Sequence, residues 1–470
     1  MYTENDIKNI VDKQRQFFKT GKTLDLDFRI AQLNKLKNAI INNQKEIEQA
    51  LFEDLGRTDT EAYLLDIGPI ILEINETIKD LKKWAKPELH FSGFAAFPSI
   101  FTKVYKMPYG VSLIIAPFNF PFLLSLGVLN AAIAGGNTAI LKLSSKSEKS
   151  TQTICRIISE TFEPNYVIGI DGGHDVADFC LNQRVDKIFY TGSPNVGKHV
   201  MAKAAENLTP VALELGGETG NWCIVRKDAN LKDAARKIAF FKICNAGQIC
   251  ININQVAVAR EVAGEFNKYL IEEINRQMPD QLNNEEYPKL IGKRAYDSCA
   301  QEVEKYKDKI IFGGHGNPDT LKYETTLLYP IDINDDVVNH ELFCPILPIV
   351  EFDDDKIDEL VDIINDREHG LALYLFTSDI KWANKVMATS QFGGGCINEV
   401  VMHLIVKGVP FNGTGHSGMG AYHGEWGFRE FSHPTTVLKG SSKFNLPLRE
   451  HPYNGKENAY KKKILGYFEK

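Results

Sequence analysis

The chain has 470 residues, 43% of them hydrophobic and 24% charged, and a formal net charge of -7. That length exceeds a single hydrophobic core and implies two or three domains, while the modest negative charge argues against nucleic acid or an anionic membrane as partner. Eight cysteines follow no framework spacing and Met1-Tyr2-Thr3-Glu4 opens no charged and apolar leader, so a cytoplasmic protein with reduced thiols is expected.

Apolar residues three and four apart, as in Phe28-Arg29-Ile30-Ala31-Gln32-Leu33 and Ala50-Leu51-Phe52-Glu53-Asp54-Leu55, predict helices up to about residue 85. A Pro- and Phe-rich piece, residues 87–107, breaks that pattern and predicts a projecting hairpin. From Val111 onward strands and helices take turns: strands at 111–115, 138–142, 166–169 and 187–191, with helices at 122–134, 150–162 and 176–182 between them. Alternation of this kind argues for a parallel, doubly wound sheet. A second alternating stretch runs through a strand at 222–225, helix 231–244, strand 255–259 and helix 261–278, with a late strand at 394–398. The fold class is therefore α/β, with two doubly wound open-sheet domains in series, hinged near Gly216-Gly217. No charge interrupts the chain between Lys106 and Lys142, a run long enough to span a bilayer. Pro108, Pro117, Pro121, Gly135 and Gly136 cut it, however, and Asn119, Asn130 and Asn137 would carry amides into lipid, so it reads as strand, turn, buried helix and strand. No membrane span is expected.

Cys250, in Asn245-Ala246-Gly247-Gln248-Ile249-Cys250, is the candidate nucleophile. A free thiol is only a few per cent thiolate at neutral pH, so a nucleophilic cysteine needs a lowered pKa or a nearby base. Glu214, between Leu213 and Leu215 and ahead of paired glycines, can be that base, because an apolar setting raises a carboxyl pKa towards working pH. Gly192-Ser193-Pro194-Asn195-Val196-Gly197 follows a strand and opens a helix, which suits a dinucleotide phosphate. Asn119 ends the strand from Val111 at the usual ligand crevice and can donate to an oxyanion. In Glu341-Leu342-Phe343-Cys344-Pro345 the carboxylate can hold a ribose and Phe343 can press a nicotinamide ring. Cys244 and Cys250 have no matching Cys or His pair at zinc spacing, so no metal is expected. Each piece alone has a bland reading: a structural cysteine, a hinge glutamate, a plain turn. Together they point to a thiolate that attacks an aldehyde and a nicotinamide that takes the hydride.

With these five pieces in this order, the chain resembles the aldehyde dehydrogenase superfamily from about Phe17 to Val437. Its start, and the ending Gly418-Met419-Gly420-Ala421-Tyr422-His423-Gly424, look most like the class 3 branch, which acts on fatty, aromatic and coniferyl aldehydes. The resemblance implies Cys250 as nucleophile, Glu214 as general base and Asn119 as oxyanion donor. It implies NAD or NADP held by Lys142 and residues 192–197, Gly192, Ser193 and Gly197 among them, with Glu341 and Phe343 at the nicotinamide end. It also implies a cofactor domain (residues 1–86 and 108–216), a catalytic domain (217–408), a strand-built oligomerisation flap (87–107 and 425–445), a tail (446–470) and a homodimer. Five residues depart from the family pattern: Phe118 for tryptophan, Ser145 for the glutamate at the adenosine ribose, Glu218 for lysine, and Cys344 and Asn412 for glycines. Asn412 is expected to tolerate a positive φ in glycine's place, and Ser145 leaves the choice between NAD and NADP open. The substrate is a small-molecule aldehyde, and Tyr63, Phe118, Phe120 and Phe411 are candidates for an aromatic tunnel that would admit it. A CoA-acylating enzyme would have less need of Glu214, and a non-catalytic relative would not need Cys250, Glu214 and Asn119 together.

Overall fold

Thr3 starts the first helix, Glu4–Lys19, through a capping box in which its side chain and Asp6 satisfy each other's backbone N–H groups. Asp25 caps the next helix, Leu26–Asn42, and the helix Gln44–Leu55 ends at Gly56, whose φ of 69° is the left-handed conformation glycine adopts at low cost. The computed structural model describes residues 2–93, 96, 99–444, 451–452, 459, 462 and 466. The chain divides into two compact units, residues 1–81 with 108–432 and residues 82–107 with 433–470.

Among the described residues the larger unit holds two large sheets and two small two-stranded ones. The first has six strands in the order Gly418–Met419, Val211–Leu215, Lys187–Gly192, Val111–Ile115, Thr138–Lys142, Val167–Ile170, all parallel but the first. Its central strands read as continuous apolar runs because helices cover both faces, leaving Leu113, Ile140 and Ile188 buried. Full burial of each such side chain contributes about 1.5–3 kcal/mol. The chain moves outward from Val111–Ile115 through Thr138–Lys142 and Val167–Ile170, then returns to lay Lys187–Gly192 on the other side. That reversal is the topological switch point, so the ligand crevice opens at the carboxyl ends of Val111–Ile115 and Lys187–Gly192. The long uncharged run resolves into strand Val111–Ile115, a π-helical turn Leu123–Gly127, helix Val128–Gly135 and strand Thr138–Lys142. Among the described residues no helix is long and apolar enough to cross a membrane.

The second sheet has seven strands, ordered Ile310–Phe312, Thr326–Ile331, Ile346–Phe352, Ile253–Ala259, Asn221–Val225, Ala372–Phe376, Gly394–Ile397; only the first edge pair is antiparallel. The architecture is α/β with two open, mostly parallel sheets. The smaller unit is built on a three-stranded sheet: Glu88–Phe91 pairs antiparallel with Phe101–Pro108, and Ser432–Leu438 lies on the other side of Phe101–Pro108. The expected hairpin is present as that pair, although residues 94, 95, 97 and 98 within it, and most of the tail 446–470, lie outside the described residues.

Candidate active site

Cys250 stands between helix Leu231–Ile243 and strand Ile253–Ala259, on a turn with unusual backbone geometry. Asn245, Ala246 and Gly247 all have positive φ, 51°, 50° and 76°. For the two non-glycine residues this costs on the order of 1–3 kcal/mol each and persists only where the surroundings over-determine it. At Gly247 a Cβ would lie 2.4 Å from the Cys344 carbonyl oxygen, so no side chain fits there. The turn is tethered on both sides of the sulfur. Asn221 Nδ2 donates to the carbonyls of Cys250 and Asn252, both at 2.8 Å, and Tyr374 OH donates to Ile251 O at 2.6 Å. Gln248 Nε2 donates to Asn245 O at 2.9 Å and to Lys289 O at 3.1 Å, while its Oε1 accepts from Ile291 N.

Asn119 reaches the same turn. It is buried, and its Nδ2 donates to Gln248 O at 3.1 Å, two residues before the cysteine. Glu214 lies on strand Val211–Leu215, opposite Gly418 in the antiparallel register, and both of its carboxylate oxygens are buried without a hydrogen-bond partner. Burial, and then the charge of Glu430, hold its pKa well above the usual carboxylate range. Cys250 is half-buried as a residue while protein surrounds its sulfur. Burial, followed by the Glu341 and Glu214 carboxylates, pushes the thiol up to about 12. Both carboxylates are near enough for their charge to act on the Cys250 sulfur, and in this arrangement the thiol is protonated at neutral pH.

The crevice side presents the strand-to-helix turn expected to suit a dinucleotide phosphate. Strand Lys187–Gly192 runs into helix Pro194–Glu206 with Pro194 in its first turn, so the first N–H groups of a 13-residue helix face the switch point. A Cβ on Gly197 would lie 2.9 Å from Leu215 Cδ2, so its lack of a side chain lets the helix seat close to the strand. Ser193 and Ser145 are exposed, and Gly192 is half-buried. Lys142, at the end of its strand, is buried and donates to the carbonyls of Leu143 and Gly172 at 2.6 and 2.7 Å, which directs its charge to the backbone; burial lowers its pKa. Glu341 lies over Gly216, where a Cβ would come within 2.1 Å of its Oε1, and burial raises its carboxyl to about 8. Phe343, at φ 49°, meets Phe118 edge-to-face with ring centroids 5.8 Å apart.

Three expectations need correction or completion. Asn412 does not use glycine's conformational freedom: it pairs with Ala421 in a two-residue antiparallel ladder and is not among the residues with positive φ. Of the tunnel candidates, Phe120 is buried with the Arg57 guanidinium 4.5 Å from its ring centroid, and Phe411 is buried beside His403, Tyr422 and His423; Tyr63 is exposed. Glu218 in place of lysine gains a cationic partner, Lys198 at 3.2 Å, and lies 3.0 Å from His416 Nδ1; the contact with Lys198 rationalises the reversed charge. Sequence reading passed over Arg57, Asn221 and Tyr374. Asn221 starts a strand and Tyr374 lies inside one, so each reads as an ordinary sheet residue. Arg57 lies between two helices, where a charged residue normally reads as solvated.

The sequence pattern of the aldehyde dehydrogenase family matches residues 1–437. The chain is 37% identical over 455 residues to 4,4'-diaponeurosporen-aldehyde dehydrogenase of Staphylococcus aureus, covering 95% of this chain and 98% of that protein. It is 33% identical to a dimeric, NADP-preferring aldehyde dehydrogenase of Rattus norvegicus, covering 92% and 94%. A structure of the substrate-bound state of Staphylococcus aureus AldH superimposes with a TM-score of 0.94 at 35% identity, over 99% of this chain and 100% of that one.

Proposed function

The chain belongs to the aldehyde dehydrogenase family, most like its class 3 branch, and is an NAD(P)-dependent aldehyde dehydrogenase, and from that premise we propose how its residues carry the reaction. Cys250 Sγ first loses its proton to solvent, and the thiolate attacks the aldehyde carbon and forms a C–S bond while the carbonyl electron pair moves to oxygen as an oxyanion. Asn119 stabilises that oxyanion: one N–H of its amide is engaged by Gln248 O, which fixes the plane and leaves the other for the substrate. A bound nicotinamide supplies a positive ring charge and the acceptor for the hydride that leaves the hemithioacetal carbon. The resulting thioester is attacked by water, Glu214 takes the water proton, and the C–S bond breaks to release a carboxylate and return Cys250. Glu341 and Phe343 would orient the nicotinamide ribose and ring of a bound dinucleotide, and Lys142, Gly192, Ser193 and Gly197 would hold the rest of it. The observation that most supports this reading is the approach of Asn119, Glu214 and Glu341 to one strained cysteine turn.

The substrate we favour is an aldehyde with an apolar tail, and the Staphylococcus aureus relative carries the name of one such compound. Met402, Ile405, Val406 and Val409 form an exposed apolar loop, and its His403 packs 6.1 Å from the ring of Tyr374, which binds Ile251 O beside the sulfur. Exposed Ser145 carries no charge to repel a 2′-phosphate, so NADP is accepted alongside NAD. The exposed Leu89, Phe91 and Phe101 of the three-stranded sheet support a homodimer, and all eight cysteines being free suits the cytoplasm. The test is NAD(P)H formation from a panel of aliphatic and aromatic aldehydes with water alone and with added CoA. Turnover without CoA, with kcat/KM rising with apolar chain length, is expected; strict dependence on CoA would overturn the hydrolytic reading.

A further inference from the structure

Arg57 is fully buried, and a buried guanidinium is tolerated only where its donors are matched. Gly56 ends the preceding helix in the left-handed region, and Arg57 follows in the short link before helix Asp59–Ala62. Its fork reaches three acceptors on three separate segments. Nε donates to Asn245 Oδ1 at 2.9 Å, Nη1 pairs with Asp66 Oδ2, and Nη2 donates to the backbone carbonyl of Asn119. The second Asp66 oxygen accepts from Leu123 N at 2.7 Å, and Glu61 Oε1 accepts from Asn245 N at 2.6 Å. The Asn119 carbonyl also accepts from Asn245 Nδ2 at 3.1 Å, and the same Nδ2 donates to Gln248 O at 2.9 Å. Asn119, Asn245 and Gln248 thus close a hydrogen-bonded ring in which Arg57 supplies the cationic donors. Two bonds of that ring, Asn119 Nδ2 to Gln248 O and Asn245 Nδ2 to Asn119 O, tie the segment bearing the Asn119 amide to the turn bearing Cys250, and the third, Asn245 Nδ2 to Gln248 O, braces the turn itself.

We propose that Arg57 is a positioning residue that sets the Asn119 amide and the Cys250 sulfur in one frame, so that attack and oxyanion stabilisation occur at the same carbonyl. This rests on the reading of Cys250 as nucleophile and Asn119 as oxyanion donor. Arg57 itself touches neither reacting atom. It acts through the Asn119 carbonyl and through Asn245, whose positive φ is held by partners on both ends of its side chain. A lysine would keep the charge beside Asp66, but a point ammonium cannot span three acceptors in the plane of a guanidinium.

The experiment is a double-mutant cycle on the full-length enzyme between Arg57→Lys and Asn119→Ala, read as kcat, aldehyde KM and the Kd of NAD(P)⁺. Misplacement by about 1 Å costs on the order of a hundredfold in rate, so Arg57→Lys is expected to lower kcat by that much while KM and Kd stay within about threefold. Adding Arg57→Lys to Asn119→Ala is expected to cost little more than Asn119→Ala alone, because both remove the same stabilisation. Independent losses, multiplying in the double variant, would overturn the proposal, as would a change confined to KM or to thermal stability. If Arg57→Lys does not fold, Asn245→Gly replaces it: glycine keeps the positive φ and removes the acceptor of Arg57, and the same non-additivity with Asn119→Ala is expected. Should Asn119→Ala alone leave kcat unchanged, the reading of Asn119 fails; should it act while Arg57→Lys and Asn245→Gly do not, only the role of Arg57 fails.

Discussion

At the carboxyl end of the first sheet, Asn119, Lys142 and Gly192 follow apolar strands buried on both faces, so regular structure delivers them to the crevice. At the amino end of the second sheet, Cys250 follows a turn with two non-glycine residues in the left-handed region, held by polar groups from five other stretches of chain. The proposed cofactor side is thus placed by local pattern and hydrophobic burial, while the proposed nucleophile is placed by long-range hydrogen bonds from buried polar side chains. Binding and chemistry should accordingly respond to different substitutions.

The sharpest separation is Cys250→Ala, which removes the proposed nucleophile and leaves the crevice intact. Aldehyde oxidation is expected to fall by on the order of 10⁵–10⁶, while a fluorescence titration gives a Kd for NAD(P)⁺ within about twofold of the parent. Turnover at a tenth of the parent rate would assign the nucleophile elsewhere. Glu214→Gln is expected to slow steady turnover by about 10²–10⁴ through loss of the general base, yet to preserve a first burst of NAD(P)H in rapid mixing. Its pH behaviour has a definite sign. Burial raises the Glu214 carboxyl, so the base form becomes populated only as pH rises, and the hydrolysis rate of the parent climbs with pH well above the ordinary carboxylate range. The same rate measured in Glu214→Gln should lose that climb; an identical profile in both would place the titrating group elsewhere.

Two smaller effects probe each region separately. Asn221→Ala deletes the donors to Cys250 O and Asn252 O and the acceptor of Ala372 N, leaving buried groups unpaired. A stability loss of about 2–3 kcal/mol in urea unfolding and about a tenfold fall in kcat are expected, with Kd for NAD(P)⁺ unmoved. Equal loss of cofactor binding would mean the two regions are not separable. On the crevice side, Ser145→Glu introduces a charge that repels a 2′-phosphate, and kcat/KM for NADP⁺ relative to NAD⁺ should fall by about tenfold, well under the unscreened limit of roughly 3 kcal/mol for two charges about 5 Å apart. A strict NAD⁺ preference in the parent, unmoved by the substitution, would sink the NADP⁺ assignment.

What could be read from the sequence divides along the same line. The strand at 111–115, the helix at 231–244 and the turn at 192–197 announce themselves because apolar spacing and Gly/Pro punctuation are local signals. Strand Val211–Leu215 is less visible, since the carboxylate of Glu214 interrupts its apolar run. Arg57 gives no local signal at all: it is buried by partners 9, 62 and 188 residues away, and only the folded chain brings them together. The raised pKa of Glu214 was legible from its leucine neighbours, but the positive φ of Ala246 was not, because alanine carries no preference for it.

The central claim, that Cys250 carries the acyl group and Glu214 sets it free, is tested most directly by mass spectrometry of Glu214→Gln quenched after one turnover with aldehyde and NAD(P)⁺. The account predicts that the peptide containing Cys250 gains the mass of the acyl group, in amounts equal to the NAD(P)H formed in the burst. An unmodified Cys250 peptide alongside a full equivalent of NAD(P)H, or an acyl group on any other residue, would contradict it.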